Sequence, residues 1–207
     1  MTTDPGPQPA RSVEIELKFD VDDDTRLPDW SEVPGVAYVG SPEVRELDAE
    51  YLDTDEAALA RAGFALRRRT GGPDEGWHIK GPRVGDGRIE LHWPLGRAGA
   101  VPDAARATLA EVTDAPLRPL AQIRNTRAAF ALRDAAGGLV AEFVDDHVVA
   151  FAVRTGIERR WREWELELGP AAPDDHAGFF AAAEAAVHAA GGRAAASDST
   201  LARALGR

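Results

Sequence analysis

The chain has 207 residues, of which 44% are hydrophobic and 29% charged, and its formal net charge is -11. This length suits one domain with a buried core, and no apolar run approaches the roughly 20 residues that cross a bilayer. Because there are no cysteines, disulfides, thiolate zinc sites and a cysteine nucleophile are excluded. The acidic balance argues against nucleic-acid binding, and the polar N-terminus has no signal-peptide core. We therefore expect a cytoplasmic protein with neither nucleic acid nor membrane as a partner.

The predicted elements are short strands separated by glycine, proline and aspartate turns, with a few helices between them. Residues 1–11 are polar and are predicted to be a disordered tail, followed by one domain over residues 12–207. Strands are predicted over residues 13–19, 36–39, 44–52, 64–70, 77–80, 88–95, 121–132, 139–146, 148–154 and 160–168. Helices are predicted over residues 54–62, 102–112, 173–190 and 199–205. This order indicates an α+β fold, an antiparallel eight-stranded β-barrel with helices packed outside.

Charged residues cluster on one face of several predicted strands. Glu163, Glu165 and Glu167 alternate along one strand, and Arg67 and Arg69 share a face of another. Three neighbouring glutamates repel one another unless a cation lies among them, and hard divalent cations prefer such oxygen ligands. Paired arginines suit phosphate oxygens because each guanidinium donates two hydrogen bonds at once. The pattern favours a metal and a polyphosphate bound together, although a solvent-facing strand would show the same alternation.

Large apolar residues occupy the opposite faces of these strands. Trp77, Trp93 and Trp164 each alternate with charged neighbours, and Leu66 lies opposite Arg67. A sheet with one charged face must bury its other face under additional elements. We expect the helices predicted over residues 102–112 and 173–190 to provide that cover.

The first predicted strand contains Glu14-Ile15-Glu16-Leu17-Lys18. Further motifs follow in order: Tyr51-Leu52-Asp53-Thr54, Gly63-Phe64-Ala65-Leu66-Arg67-Arg68-Arg69, Trp77-His78-Ile79-Lys80-Gly81, Arg88-Ile89-Glu90, Asn125-Thr126-Arg127, Glu142-Phe143-Val144-Asp145-Asp146 and Trp161-Arg162-Glu163-Trp164-Glu165-Leu166-Glu167-Leu168. In sequence and order they resemble the motifs of the CYTH superfamily, the triphosphate tunnel metalloenzymes. The resemblance covers residues 13–205 and implies a barrel whose charged tunnel binds a triphosphate.

The resemblance also implies roles for individual residues. Mg²⁺ or Mn²⁺ would be held by Glu14, Glu16, Asp146, Glu165 and Glu167, with Glu90 and Glu163 as outer ligands. Phosphates would be bound by Lys18, Arg67, Arg69, Lys80, Arg127 and Arg124. Catalysis would involve Lys18, Glu165 and Glu167, and Lys18 would assist proton removal if its pKa were depressed. His78 and His92 are expected to be structural.

One position departs clearly from the family pattern. Thr200 follows Ser199, where the family often has a lysine that helps to hold the phosphate chain. The preferred activity is metal-dependent hydrolysis of a triphosphate-containing small molecule, with inorganic triphosphate favoured because no segment clearly provides a base or thiamine pocket. A class IV-type adenylate cyclase and a non-catalytic polyphosphate- or nucleotide-binding module remain alternatives.

Overall fold

A computed structural model describes residues 8–85, 87–96, 99–197 and 199–206, and these residues form a mostly antiparallel sheet with a few helices. The strands are β1 (Ala10–Glu14), β2 (Glu16–Val21), β3 (Tyr38–Val39), β4 (Glu43–Asp53), β5 (Ala65–Thr70), β6 (Gly76–Val84), β7 (Gly87–Trp93), β8 (Arg118–Arg133), β9 (Leu139–Ala152), β10 (Ile157–Leu168) and β11 (Arg193–Ala194). The helices are α1 (Ala58–Arg61), α2 (Asp103–Leu109), α3 (His176–Ala190) and α4 (Thr200–Ala204). Residues 1–7 of the predicted tail lie outside the described residues, whereas Ala10 and Arg11 lie in β1.

The sheet contains 11 strands in the order β1-β7-β6-β5-β4-β8-β9-β10-β2-β11, with β3 paired to β8. Within the described residues, this hydrogen-bonded path is not closed. The predicted count of eight strands was wrong: the first predicted strand is interrupted at Ile15 and counts as two, and the two-residue strands β3 and β11 bring the total to 11. Eight strands remain when β1 and β2 are counted as one and these two short strands are set aside. The enclosed tunnel stays a prediction.

Two strand predictions differ from the structure around His147. Residues 139–146 and 148–154 were predicted as separate strands, but β9 runs without a break from Leu139 to Ala152. The segment contains neither glycine nor proline at this point, so the backbone continues in the extended conformation while His147 is exposed. The turn predicted at residues 154–156 is present and ends β9.

The chain divides into two compact units. Unit 1 comprises the described residues of Met1–Glu14, Leu47–Arg124 and Ala150–Glu158. Unit 2 comprises the described residues of Ile15–Glu46, Asn125–Val149 and Arg159–Arg207. Among the described residues, no helix has the length and apolar character that a membrane span requires.

The core of unit 1 lies on the apolar face of its strands. Trp77 and Trp93 face each other across the β6–β7 pair, and each is 1% exposed. They belong to one hydrophobic cluster with Leu66 and with Ala105 and Leu109 of α2. The expectation that the helix predicted over residues 102–112 covers this face is confirmed.

The core of unit 2 is built around Trp164 of β10, which is fully buried. Phe179, Ala183 and Val187 recur along one face of α3 and pack in the same cluster. Asp175 begins the helix by accepting a hydrogen bond from the Gly178 N–H, which satisfies one of the free amides of the first turn. The predicted cover by α3 is confirmed as well.

The Tyr-x-Asp-Thr motif has a structural role in unit 1. The Asp53 carboxylate is 2% exposed and accepts hydrogen bonds from the N–H groups of Thr54, Leu59 and Ala60 at 2.7, 2.9 and 3.1 Å. The Thr54 hydroxyl accepts the Ala58 N–H at 2.9 Å. These two side chains together cap α1 and tie it to the end of β4.

Candidate metal centre

Unit 2 brings together three carboxylates from β9 and β10. Asp146, Glu163 and Glu165 each place an oxygen within 4.8 Å of the others. Asp146 is fully buried and Glu163 is 5% exposed. Glu163 and Glu165 share a face of β10 because they are two residues apart in a strand. We call these three residues the metal group.

Two cations lie against the metal group. Arg127 of β8 donates from Nε to Asp146 Oδ1 at 2.9 Å and from Nη2 to Asp146 Oδ2 at 2.6 Å. The same Nη2 reaches Glu165 Oε2 at 3.1 Å. Lys18 lies directly opposite Glu165 in the β2–β10 pair and forms an ion pair with it. Both cations can donate to phosphate oxygens from these positions.

Burial and the neighbouring charges change the protonation of this group. Burial, followed by the charge of Glu165, raises the pKa of Glu163. Burial lowers the pKa of Lys18, but Glu165, Glu16 and Glu163 together outweigh it and leave that pKa raised. The Lys18 ammonium therefore stays charged in the metal-free protein, which opposes the proton-accepting role that a depressed pKa would have allowed.

The predicted ligands divide into members and non-members of the metal group. Asp146 and Glu165 belong to it, and Glu163, which was predicted as an outer ligand, belongs to it too. Glu167 is exposed and faces Glu16 in the β2–β10 pair, outside the group. The i, i+2, i+4 spacing correctly predicts a shared face, but the depth of each residue along the strand depends on tertiary packing.

Unit 1 contains a second charged cluster, around Glu90 of β7. Its Oε1 lies 2.9 Å from His78 Nδ1 and 3.3 Å from Arg67 Nη2, and Lys80 Nζ lies 2.6 Å from Glu14 Oε2. Burial and the hydrogen bond to Glu90 raise the pKa of Glu14 to about 8. Glu14, Arg67 and Lys80 are thus brought together, and His78 is a buried residue with two hydrogen-bonding contacts, as expected for a structural histidine.

Two predicted phosphate ligands have other partners in unit 1. Arg124 has a side chain that is 64% exposed, and its Nε lies 3.1 Å from Asp48 Oδ2. Arg69 is buried and forms an ion pair with Asp74 in the turn after β5. His92, expected to be structural, donates from Nε2 to the Glu75 carbonyl at 3.1 Å, since a carbonyl oxygen can only accept.

The metal group suits a hard divalent cation. Its donors are carboxylate oxygens that lie close enough to converge on one ion, as Mg²⁺ and Mn²⁺ prefer. Carboxylates this close repel one another, and a divalent cation among them would relieve that repulsion together with Lys18 and Arg127. Asp146, Glu163 and Glu165 therefore fit the metal that the sequence implies.

Solved structures with the same fold include two candidate nucleotide cyclases. A candidate adenylate cyclase from Bacillus halodurans has a TM-score of 0.64 and 16% identity, covering 93% of this chain and 97% of that protein. A candidate adenylyl cyclase from Hippeastrum, with a dominant triphosphatase activity, has a TM-score of 0.57 and 16% identity, covering 94% and 96%. At these identities the likeness concerns the fold.

Two sequence relatives and one family model complete the comparison. Uncharacterised proteins from two Mycobacterium tuberculosis strains are each 42% identical over 174 residues, which is 78% of this chain. The match spans 34% of those relatives, about a third of their length. The CYTH domain model matches residues 12–197, nearly the whole chain. This protein belongs to the CYTH domain family.

Proposed function

We propose that this protein hydrolyses a triphosphate with the help of Mg²⁺ or Mn²⁺, and that inorganic triphosphate is its substrate. The observation that carries the proposal is the metal group of unit 2 with two partly buried cations beside it, in a member of the CYTH family. A polyphosphate and its metal require this combination of oxygen ligands and phosphate donors.

Asp146, Glu163 and Glu165 would hold the divalent cation. When bound, the cation would neutralise phosphate charge and increase the acidity of water. Arg127 has a planar guanidinium that can bridge two phosphate oxygens, and Lys18 adds a compact charge on the β2 side of the group. Both would stabilise the negative charge that develops on the phosphate being transferred and on the leaving group.

Two observations support the hydrolysis of inorganic triphosphate, the first for the substrate and the second for the reaction. The groups described in unit 2 donate to charged oxygens, and inorganic triphosphate offers such oxygens without a base or a vitamin attached. The Hippeastrum protein with the same fold has a dominant triphosphatase activity, which supports hydrolysis over cyclisation. The roles of Arg67, Arg69 and Lys80 as phosphate ligands stay predictions from the family resemblance.

The test is phosphate release from inorganic triphosphate, ATP and thiamine triphosphate with Mg²⁺ or Mn²⁺, with assays for pyrophosphate and cyclic AMP in parallel. Glu165→Gln keeps the size of the side chain but removes a charged ligand, so we expect turnover to fall roughly 100-fold or more. Glu46→Gln is the matched control, because Glu46 is an exposed glutamate of unit 2 outside the metal group.

Three outcomes would contradict the proposal. Phosphate release no faster than that of Glu165→Gln would exclude hydrolysis. Cyclic AMP as the main product from ATP would select the cyclase. Tight binding of inorganic triphosphate by calorimetry, without turnover of any substrate, would indicate a binding module.

A further inference from the structure

The buried carboxylate of Glu163 is held by donors from two elements. The Thr200 hydroxyl of α4 donates to its Oε1 at 2.9 Å. The Trp161 indole N–H, two residues earlier in β10, donates to its Oε2 at 2.5 Å. Arg203 Nη1 of α4 lies 3.6 Å from the same Oε2. Both oxygens of one metal-group residue therefore contact side chains outside the group.

Arg203 is itself fixed in place by contacts on several sides. Its Nη1 also donates to Asp20 of β2, and its guanidinium lies over the Trp161 ring at 4.9 Å from the centroid. Arg159 donates to the Ala204 carbonyl at 3.0 Å and ties down the C-terminal end of α4. A five-residue helix has little stability alone, so these contacts, together with the burial of Ala204, help to hold α4 in place.

Side chains that hydrogen-bond to a ligand usually orient it and strengthen metal binding. Each carboxylate oxygen can accept more than one contact, so a donor from the protein leaves room for a metal on the same oxygen. We infer that Thr200 and Arg203 are positioning residues that hold the Glu163 carboxylate in place as a metal ligand. This inference rests on the proposed function, since it concerns the same divalent cation.

The position of Thr200 makes the inference specific to this chain. A threonine at the first residue of α4 can donate one hydrogen bond to Glu163 but carries no charge. Arg203 lies three residues later, which places it on the same side of the helix. The hydroxyl therefore holds Oε1 by a hydrogen bond, while the guanidinium places its charge near Oε2, which also accepts the Trp161 N–H.

The experiment measures Mn²⁺ affinity by titration of free Mn²⁺ with electron paramagnetic resonance, without substrate. Thr200→Val keeps the shape of the side chain and removes the donor, and we expect roughly 10-fold weaker binding. Thr200→Ser restores a hydroxyl and should bind Mn²⁺ like the wild type. Arg203→Met is a second variant, expected to weaken binding by a similar factor.

Thr126→Val is the matched control. Thr126 also donates to a glutamate at 2.9 Å within unit 2, but its partner is Glu46, outside the metal group. It alternates with Arg127 along β8, so it points away from the face that carries Arg127. The Mn²⁺ affinity of this variant should be unchanged, whatever its effect on thermal stability.

The outcomes separate the inference from the function. If the wild type binds Mn²⁺ and hydrolyses triphosphate while Thr200→Val and Arg203→Met bind Mn²⁺ equally well, the inference is overturned and the function stands. Equal weakening in Thr126→Val and Thr200→Val would also overturn it, since a general loss of packing would then explain both. A wild type that binds no Mn²⁺ overturns the proposed function and the inference together.

Discussion

Replacing Arg162 with methionine would remove the cation of a buried ion pair between β9 and β10. Arg162 is 6% exposed, and it donates to the two oxygens of Asp145 at 2.8 and 3.0 Å. Its Nη1 also donates to the carbonyls of Asp22, Asp23 and Thr25, at 3.1, 3.1 and 2.7 Å. Methionine fills similar space but donates no hydrogen bond, so the Asp145 carboxylate would be left buried without its cation.

Breaking a buried pair by removing one partner costs about 3–5 kcal/mol of unfolding free energy. For a protein of this size, 1 kcal/mol shifts Tm by roughly 2–4 °C, so Arg162→Met should lower Tm by about 6–20 °C. The measurement is urea unfolding followed by tryptophan fluorescence, together with a thermal scan by circular dichroism.

Two controls make this prediction specific. Replacing both partners, Asp145→Leu with Arg162→Met, should be less destabilising than Arg162→Met alone, because no buried charge then lacks a partner. Arg193→Met removes an exposed pair with Asp22, whose side chains are 57% and 67% exposed, and should leave Tm unchanged. A loss below about 1 kcal/mol in Arg162→Met would refute the reasoning.

Three further predictions concern the metal group, the Glu14–Glu90 pair and the turn before α1. Mn²⁺ at about 100 times its Kd should raise the unfolding free energy of the wild type by about 2.7 kcal/mol, and Glu165→Gln at the same concentration should show a clearly smaller rise in Tm. Because the pKa of Glu14 is raised from its ordinary value of 4.5 to about 8, its contribution to stability is full below pH 4.5 and is lost as the pH rises towards 8. Relative to Glu14→Gln, the wild type should lose up to about 1.4 kcal/mol per pH unit in that window, measured by urea unfolding, and parallel curves would contradict this. Ala57 has a left-handed backbone with φ of 55°, so Ala57→Gly should raise the unfolding free energy by about 0.5–1 kcal/mol, and a lower Tm would contradict it.

The strands were predictable because alternation of apolar and charged residues is a local property. β4, β5 and β10 begin and end within a few residues of their predicted bounds. The break at Ile15 was not predictable, because the alternation of Val13, Ile15 and Leu17 continues through it. Hydrogen bonds to other strands, rather than local propensity, divide this segment into β1 and β2.

The charged strand faces that form the site were predictable from the sequence. Which residues belong to the metal group was not predictable. The sequence predicts that Glu163, Glu165 and Glu167 share one face, and in unit 2 the carboxylates of the first two lie close together. Glu163 is buried, and the Thr200 hydroxyl of α4 reaches it across a long interval of the chain. The sequence pattern does not indicate that contact, because Glu163 and Thr200 lie far apart along the chain.

The chemistry of the metal group and the stability of unit 2 depend on the same two strands. Successive side chains in a strand point to opposite faces of the sheet. Asp145 and Asp146 are neighbours in β9, so they lie on opposite faces, and the same holds for Arg162 and Glu163 in β10. On one face the Asp145–Arg162 ion pair joins the strands at 2.8 and 3.0 Å. On the other face, the same separation of strands sets the distance between the Asp146 and Glu163 carboxylates. Together with the backbone hydrogen bonds between β9 and β10, the buried pair therefore limits how far these two ligands can move apart when no cation holds them together.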